Sequence, residues 1–580
     1  SPNAISVAGM LAGTLSGACF AFTSHVGDFA RGFWLAGAFF AQLRLVGNML
    51  DGMVAETRVF YPRKGGVLQP FGSSIKSSSI VSHYNVFFNY TWKMKPSFTL
   101  IYGIGFDITG YSDWKEPRQW ELGPTARRMG GNQTSRYNWE HGTAFNHGQD
   151  WIFANNGDTS ATEAFWVTFM TENAQKGAVS AIEIPMLGWV AKDTTSVSFP
   201  IAKFGAQKVT DQGRAAGNGI RPDGSEIPPP PPETTSIKST PEMQAKYVKA
   251  IRALATKLKA KGPRIYMLDN EPALWNSTHR DVHPDPTTYG ELWSKTVAIA
   301  AAVKAQDPDA KLLGPVSWGW CEYFYSAKDG CSFGADSALH GNQPWIEWYL
   351  DQAHAYEIAH GVRLVDYLDL HYYPQNNGVA LSDDESAGTA AMRLRSLKSL
   401  YDPAYVDESW IATAIRMLPR MRDWVANHYP GTKLAITEYS WGNDNGLTSA
   451  LAQAEALAIF GREGLDLATR WVSPAEGSLV EDAFKLYLNW NGTGGRLAGD
   501  SIRAASSDVD GVGSYAIESA NGRRAFLLFN KDTRTRPVHV KLATGALSRP
   551  ASLVRFDGSH RIDYAGNLAP VAGAFGSRGA

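Results

Sequence analysis

From about residue 120 to 475 the chain alternates short apolar runs with longer stretches whose apolar residues recur every three or four positions. The runs read "AVSAIEIPML" (178–187), "RIYMLDN" (264–270), "KLLGPVSW" (311–318), "LVDYLDLHYY" (364–373), "KLAITEYSW" (433–441) and "LDLATRWV" (465–472). Such runs, spaced by helical stretches, predict the strands of a parallel sheet. In "PEMQAKYVKAIRALATKLKAKG" (241–262), Tyr247, Ile251, Leu254 and Leu258 recur at helical spacing and Gly262 closes the helix. Two more strands are expected upstream, at "ARRMGGN" (126–132) and "AFWVTFM" (164–170). Eight such units make an α/β fold, a TIM-like (β/α)8 barrel placed over residues 120–480.

Past residue 480 the period changes to two. "SYAIESANGRRAFLLFNKD" (514–532) alternates and turns at Asn521-Gly522, a hairpin signal, and "PVHVKLA" (537–543) and "ASLVRFD" (551–557) follow. Residues 481–580 are therefore read as an antiparallel β-sandwich domain. A β stretch within 96–119, "PSFTLIYGIGFDITG", is expected to join that C-terminal sheet. The insert 203–240 carries "IPPPPPE" (227–233), which cannot form helix or inner strand and reads as a surface loop.

The N-terminus differs from the rest. Residues 5–22 form an uncharged apolar run, and 33–50 form a second with one Arg. No basic segment precedes them, so a simple signal peptide fits poorly. The following "DGMVAE" (51–56) resembles part of the CDP-alcohol phosphatidyltransferase signature, with Asp51, Gly52, Ala55 and Gly65 in place. Glu56, Gln69 and Ser73 stand where that family has an Arg and two Asp, so its metal-binding carboxylates are incomplete. Residues 1–57 are read as an apolar leader or a vestigial membrane fragment, and the Ser-rich 58–95 as a linker.

Composition narrows the partners. With a net charge of −1 over 580 residues there is no general field for nucleic acid or an anionic membrane. The 19 Trp and 23 Tyr suit both a core and stacking on flat sugar faces. Three cysteines make no disulfide framework; Cys321 and Cys331 read equally as a pair in an exported protein or as unlinked thiols.

Reactive groups of a (β/α)8 barrel sit at the C-terminal ends of its strands. Two glutamates hold such positions: Glu271 in "LDNEP" and Glu438 in "AITEYSWG". Strands three apart can aim both into one cleft, and paired carboxylates are the equipment for cleaving an acetal. His371 and Tyr373 end another strand and are candidates for a place beside these carboxylates, Tyr373 as a hydrogen-bond donor to one of them, with a satisfied buried polar pair as the competing role. Trp189, Trp318, Trp320 and Trp441 each follow a strand end and are candidates for lining such a cleft, with core packing as the competing role. His279 and His283 in "HRDVH" have zinc-like spacing but no third ligand, so loop fixation is the expected role. "GIGFDITG" (103–110) and "GNGIRPDG" lack the spacing or lysine that nucleotide phosphates need.

The stretches "LDNEPALWNSTHRDVHP" (268–284), "RRMGGNQTSRYNW" (127–139), "DLHYYP" (369–374), "YPGTKLAITEYSWG" (429–442) and "SSDVDGVGSYA" (506–516) together resemble glycoside hydrolase family 44, over about 98–575. The resemblance implies a retaining endo-acting hydrolase of β-1,4-glucan backbones, including carboxymethylcellulose, mixed-linkage glucan and xyloglucan, with xylan as a further substrate. It places the Asn-Glu pair on barrel strand four and the second Glu on strand seven. Glu271 becomes the general acid/base and Glu438 the nucleophile, with Asn132 and Asn270 as substrate-binding residues. Asn270 is expected to hold the 2-hydroxyl of the reacting sugar. Met129 departs from the family's R-W-G-G-N, putting a packing contact or sugar platform in doubt. No catalytic cofactor is implied; a structural calcium occurs in some relatives. The expectation is a monomer, secreted or cell-surface and bacterial in type, with an N-terminal segment suited to membrane association. The alternatives are a glucan-binding protein without catalysis and, from the N-terminus, a membrane phosphotransferase.

Overall fold

The computed structural model describes residues 122–542, 550–558 and 561–568, together with the strand segments Tyr90–Thr91 (β1) and Ala574–Ser577. The readings of residues 1–57 and 96–119, and most of the 58–95 linker, lie outside the described residues.

Seven strands form one parallel sheet: β2 (Ala126–Met129), β3 (Val179–Ile184), β4 (Ile265–Leu268), β5 (Lys311–Ser317), β6 (Tyr367–Leu370), β7 (Lys433–Ile436) and β8 (Leu467–Ala468). Their spatial order follows the chain from β2 to β8, each pairing with the next. This curled sheet is the barrel wall of a TIM-like fold. Its residues explain the continuous apolar runs. Ile265 and Met267 pack inside with Ala181, Leu313, Val316, Tyr367 and Ala435. Tyr266 and Leu268, one residue out of phase, pack outward among residues of the surrounding helices. Both faces are buried, so both are largely apolar.

The longer helices among the described residues are α1 (Phe165–Lys176), α2 (Pro241–Leu258), α3 (Tyr289–Gln306), α4 (Trp345–His360), α5 (Ala387–Ser396), α6 (Met417–His428), α7 (Leu447–Glu463) and α8 (Leu479–Leu488). Two expectations need correction. "AFWVTFM" is the start of α1, not a strand: Phe165, Trp166, Phe169, Met170 and Asn173 are buried, a helical spacing that a seven-residue apolar window could not separate from a strand. Helix α2 stops at Leu258 with Lys259 left-handed (φ 53°), before Gly262; Thr240 caps its start by accepting the Met243 N–H. The insert is also more ordered than a plain loop, since Trp189–Ala191 pairs antiparallel with Ser236–Lys238 at its end.

The C-terminal region is antiparallel. Strands β9 (Asp500–Ile502), β10 (Val512–Glu518) and β11 (Arg523–Asn530) form a sheet with β1 on the β11 edge. The turn falls at Asn521-Gly522, with Gly522 at φ 75° and Asn521 accepting the Arg523 N–H. Period-two alternation sorts the two faces. Tyr515, Ile517, Leu527 and Phe529 join the barrel's core, while Ala516, Phe526 and Leu528 meet Ala551 and Leu553 of a second layer. That layer holds two further strand pairs: β12 (Val538–Lys541) with Ala574–Ser577, and β13 (Ala551–Arg555) with β14 (Asp563–Leu568). The strand that joins the sheet from the N-terminal side is β1, inside the stretch read as linker. Cys321, in the short helix Trp320–Phe324 after β5, and Cys331 form a disulfide.

Candidate active site

Strand β4 ends on "LDNEP", and the backbone there is bent. Asp269 and Glu271 have φ of 65° and 42°, and Val316, whose carbonyl accepts the Glu271 N–H at 3.1 Å, has φ 59°. Non-glycine residues hold such angles only where their surroundings over-determine them. Asp269 does that here. Its buried carboxylate accepts the N–H groups of Met186, Leu187 and Asn270 and the hydroxyl of Ser135. Pro272 then opens a 3-10 turn, Pro272–Leu274. The opening Asp of the motif is thus a clamp, and the two residues after it are turned into the cleft.

Glu271 and Glu438 end the third and sixth strands of the described sheet, three apart. The structure brings them together with His371: one atom from each of the three lies within 4.8 Å of the others. Glu438 is 5% exposed, and both its oxygens face donors. Arg128 Nη1 donates to Oε1 at 2.7 Å, and Tyr373 Oη donates to Oε2 at 2.9 Å. Glu271, 14% exposed, lies 2.8 Å from His371 Nδ1. Burial raises its carboxyl to about 7; Arg128 opposes that rise and Asp150 adds to it. Burial also pushes His371 down to about 3, so its imidazole is neutral. Burial thus raises the Glu271 carboxyl, while Glu438 sits against a guanidinium.

Asn270 is held by its amide. Its Oδ1 accepts from Arg128 Nη2 at 2.7 Å, and its Nδ2 donates to Asn132 Oδ1 at 3.0 Å. Asn132 in turn donates to Asp150 at 2.8 Å. The second amide hydrogen of Asn270 is the one left for a ligand. Trp189, Trp318 and Trp320 are partly exposed, and the Trp318 N–H is anchored on buried Glu322 at 2.8 Å. Trp441 is placed differently: at 1% exposure it packs on Tyr372 and Tyr439 and donates to Ser396 at 3.1 Å, a core position with no face left for a sugar. Met129 is buried in the core between the sheet and the surrounding helices, so the substitution there is one of packing.

Arg128, within the motif at 127–139, bridges Glu438 and Asn270. A charged residue in an otherwise buried strand is the signal that marks it. Nothing local in the sequence distinguishes Asp150 from a surface carboxylate. His283 bonds Glu291 at 2.7 Å, in keeping with loop fixation. Glu271, His371 and Glu438 are the one set of three His, Cys, Asp or Glu ligands that converges among the described residues. It does not fit a calcium ion: a nitrogen is central to it, and Arg128 and Tyr373 already occupy Glu438.

A parallel (β/α) barrel with two carboxylates converging at its strand ends is the architecture of a glycoside hydrolase. Residues 144–376 match glycoside hydrolase family 44. Endoglucanase A of Paenibacillus lautus is 30% identical over 468 residues, 74% of this chain, which itself spans 61% of that protein. The crystal structure of CelM2, a bifunctional glucanase-xylanase from a metagenome library, superposes with a TM-score of 0.76 at 32% identity, covering 84% of this chain and 94% of that one. A Paenibacillus polymyxa xyloglucanase of family 44, solved with xyloglucan, gives 0.67 at 25% identity, covering 83% and 94%. The chain belongs to glycoside hydrolase family 44.

Proposed function

We propose that this protein is a retaining, endo-acting hydrolase of β-1,4-glucan backbones. The observation that carries the reading is the pairing of Glu271, raised to about 7, with Glu438, whose nearer oxygen is within 4.8 Å of it. Retaining glycosidases hold their carboxyls about 5–5.5 Å apart, whereas inverting ones need about 6.5–9.5 Å to admit a water.

In this reading Glu438, aimed by Arg128 and Tyr373, attacks the anomeric carbon while Glu271 gives its proton to the leaving oxygen. Glu271, now a carboxylate, takes a proton from the water that releases the glycosyl-enzyme. The free amide hydrogen of Asn270 serves the 2-hydroxyl. Trp189 and Trp318 offer ring faces for neighbouring sugars, whereas the Trp320 ring already packs on Phe324 and under the Arg420 guanidinium. The named relatives act on glucan, xylan and xyloglucan, and that range is proposed for this chain.

A polymeric substrate and the Cys321–Cys331 disulfide both suit an extracellular site of action. Among the described residues no helix is long and apolar enough to cross a membrane. The test is Glu271→Gln and Glu438→Gln, each assayed for reducing-sugar release from carboxymethylcellulose, xyloglucan and xylan. Loss of activity in both is expected; near wild-type turnover in either overturns the assignment.

A further inference from the structure

Behind Glu271 runs a line of buried polar groups that the two-carboxylate reaction does not call for. Asp369, next to last in β6, is fully buried and grips Thr437, the residue before Glu438. Its Oδ1 accepts the Thr437 N–H at 3.1 Å and its Oδ2 the Thr437 hydroxyl at 2.8 Å. The Thr437 oxygen is 3.2 Å from His371 Nε2, and His371 Nδ1 is 2.8 Å from Glu271. Tyr323 donates to the His371 carbonyl and fixes that backbone. We propose that Glu271 and Asp369 share one proton through His371 and Thr437, so that the protonation of the acid/base is set from inside the protein.

The donor inventory forces the relay into two states. A hydroxyl has one hydrogen and a neutral imidazole has one. If Thr437 donates to Asp369, its oxygen must accept from His371 Nε2–H. Nδ1 is then bare, and Glu271 must be the donor, as the protonated acid. In the other state every bond reverses. The Glu271 O–H passes its proton to Nδ1, Nε2–H passes one to the Thr437 oxygen, and the Thr437 hydroxyl passes one to Asp369 Oδ2. Three bonds break and three form; one proton has moved from Glu271 to Asp369, and the net charge is unchanged. Burial disfavours the doubly protonated imidazole and raises both carboxyls to about 7, so neither end is excluded as the proton's host. Glu271 is faced by Arg128, Asp150 and His371, with Glu322 and Tyr323 nearby; Asp369 is faced by Arg128 and Glu438. Nδ1 is also 3.4 Å from Glu438 Oε2, so the second state turns an N–H toward the nucleophile. Asp369 and Thr437 are positioning residues in this scheme, because they act through His371.

The proposal rests on Glu271 being the acid/base, and its test separates the two. The pKa of Glu271 is read on the full chain by infrared titration, as the protonated-carboxyl band that Glu271→Gln removes; activity is not needed. In Asp369→Asn the Thr437 N–H fixes the amide oxygen, so Nδ2 must donate to the Thr437 hydroxyl. That locks Nδ1–H toward Glu271, and the expected result is a Glu271 pKa lowered by about one unit or more, with the alkaline limb of kcat/KM on carboxymethylcellulose moving equally. Thr437→Val puts a methyl against Nε2, favours Nδ1–H and lowers the same pKa; Thr437→Ser restores the wild-type value. On the Thr437→Val background Asp369→Asn has no further effect. An unchanged titration in Asp369→Asn, or an equal shift on both backgrounds, overturns the relay. If Asp369→Asn does not fold, Thr437→Val against Thr437→Ser decides: no shift in the first overturns it. A coupled titration in a protein that cleaves no glucan keeps the relay and discards the functional reading instead.

Discussion

Replacing Glu271 by Gln should abolish turnover and, above neutral pH, make the protein more stable. The carboxyl titrates at about 7 in the folded protein, because burial outweighs the attraction of Arg128. In the unfolded chain it titrates near about 4.3. A carboxyl whose folded pKa is raised contributes stability that is fully present below the unfolded value and is lost as pH rises through the folded one. Between about pH 4 and 8 wild type therefore loses about 3 kcal/mol, at about 1.4 kcal/mol per unit. Glutamine carries no charge, and its Nε2–H can donate to His371 Nδ1 as the protonated acid does. For a chain of this size 1 kcal/mol moves the midpoint by about 1 °C. Calorimetry should find Glu271→Gln level with wild type at about pH 4 and about 2–3 °C higher at about pH 8.5. A difference independent of pH, or a variant less stable at high pH, would refute the argument that burial raises this carboxyl.

Other residues give separable outcomes. Arg128→Met leaves Glu438 buried without its cation, which should lower stability by about 3–5 kcal/mol in denaturant unfolding and remove measurable turnover. Trp441→Ala empties a core site and should cost about 3–5 kcal/mol in the same assay, whereas Trp318→Ala should raise KM on polymeric glucan with the unfolding midpoint unchanged. Reducing the Cys321–Cys331 bond opens a short loop, and calorimetry with and without reductant should show a loss of about 2–3 kcal/mol.

The barrel was legible because its strands are buried on both faces and so read as unbroken apolar runs between helices of period 3.6. The exception, Phe165–Met170, carries the same composition on a helix, and only its burial at positions 165, 166, 169, 170 and 173 tells them apart. Glu271 and Glu438 were legible from their place at strand ends. What was not legible depends on partners distant in sequence. Arg128 meets Glu438 across 310 residues, and Asp369 shows its use only once Thr437 and His371 are seen in line with it. Trp441 follows a strand end like the other candidate tryptophans, yet turns inward to Ser396; spacing gives no means of knowing which way a ring turns.

The central claim is that Glu438 attacks the sugar while Glu271 donates the proton, with one oxygen of each within 4.8 Å of the other. The anomeric configuration of the first products tests it most directly, followed by proton NMR during hydrolysis of a cello-oligosaccharide. Double displacement predicts that the β-anomer appears first and only later mutarotates to the equilibrium mixture. Initial release of the α-anomer would contradict the account.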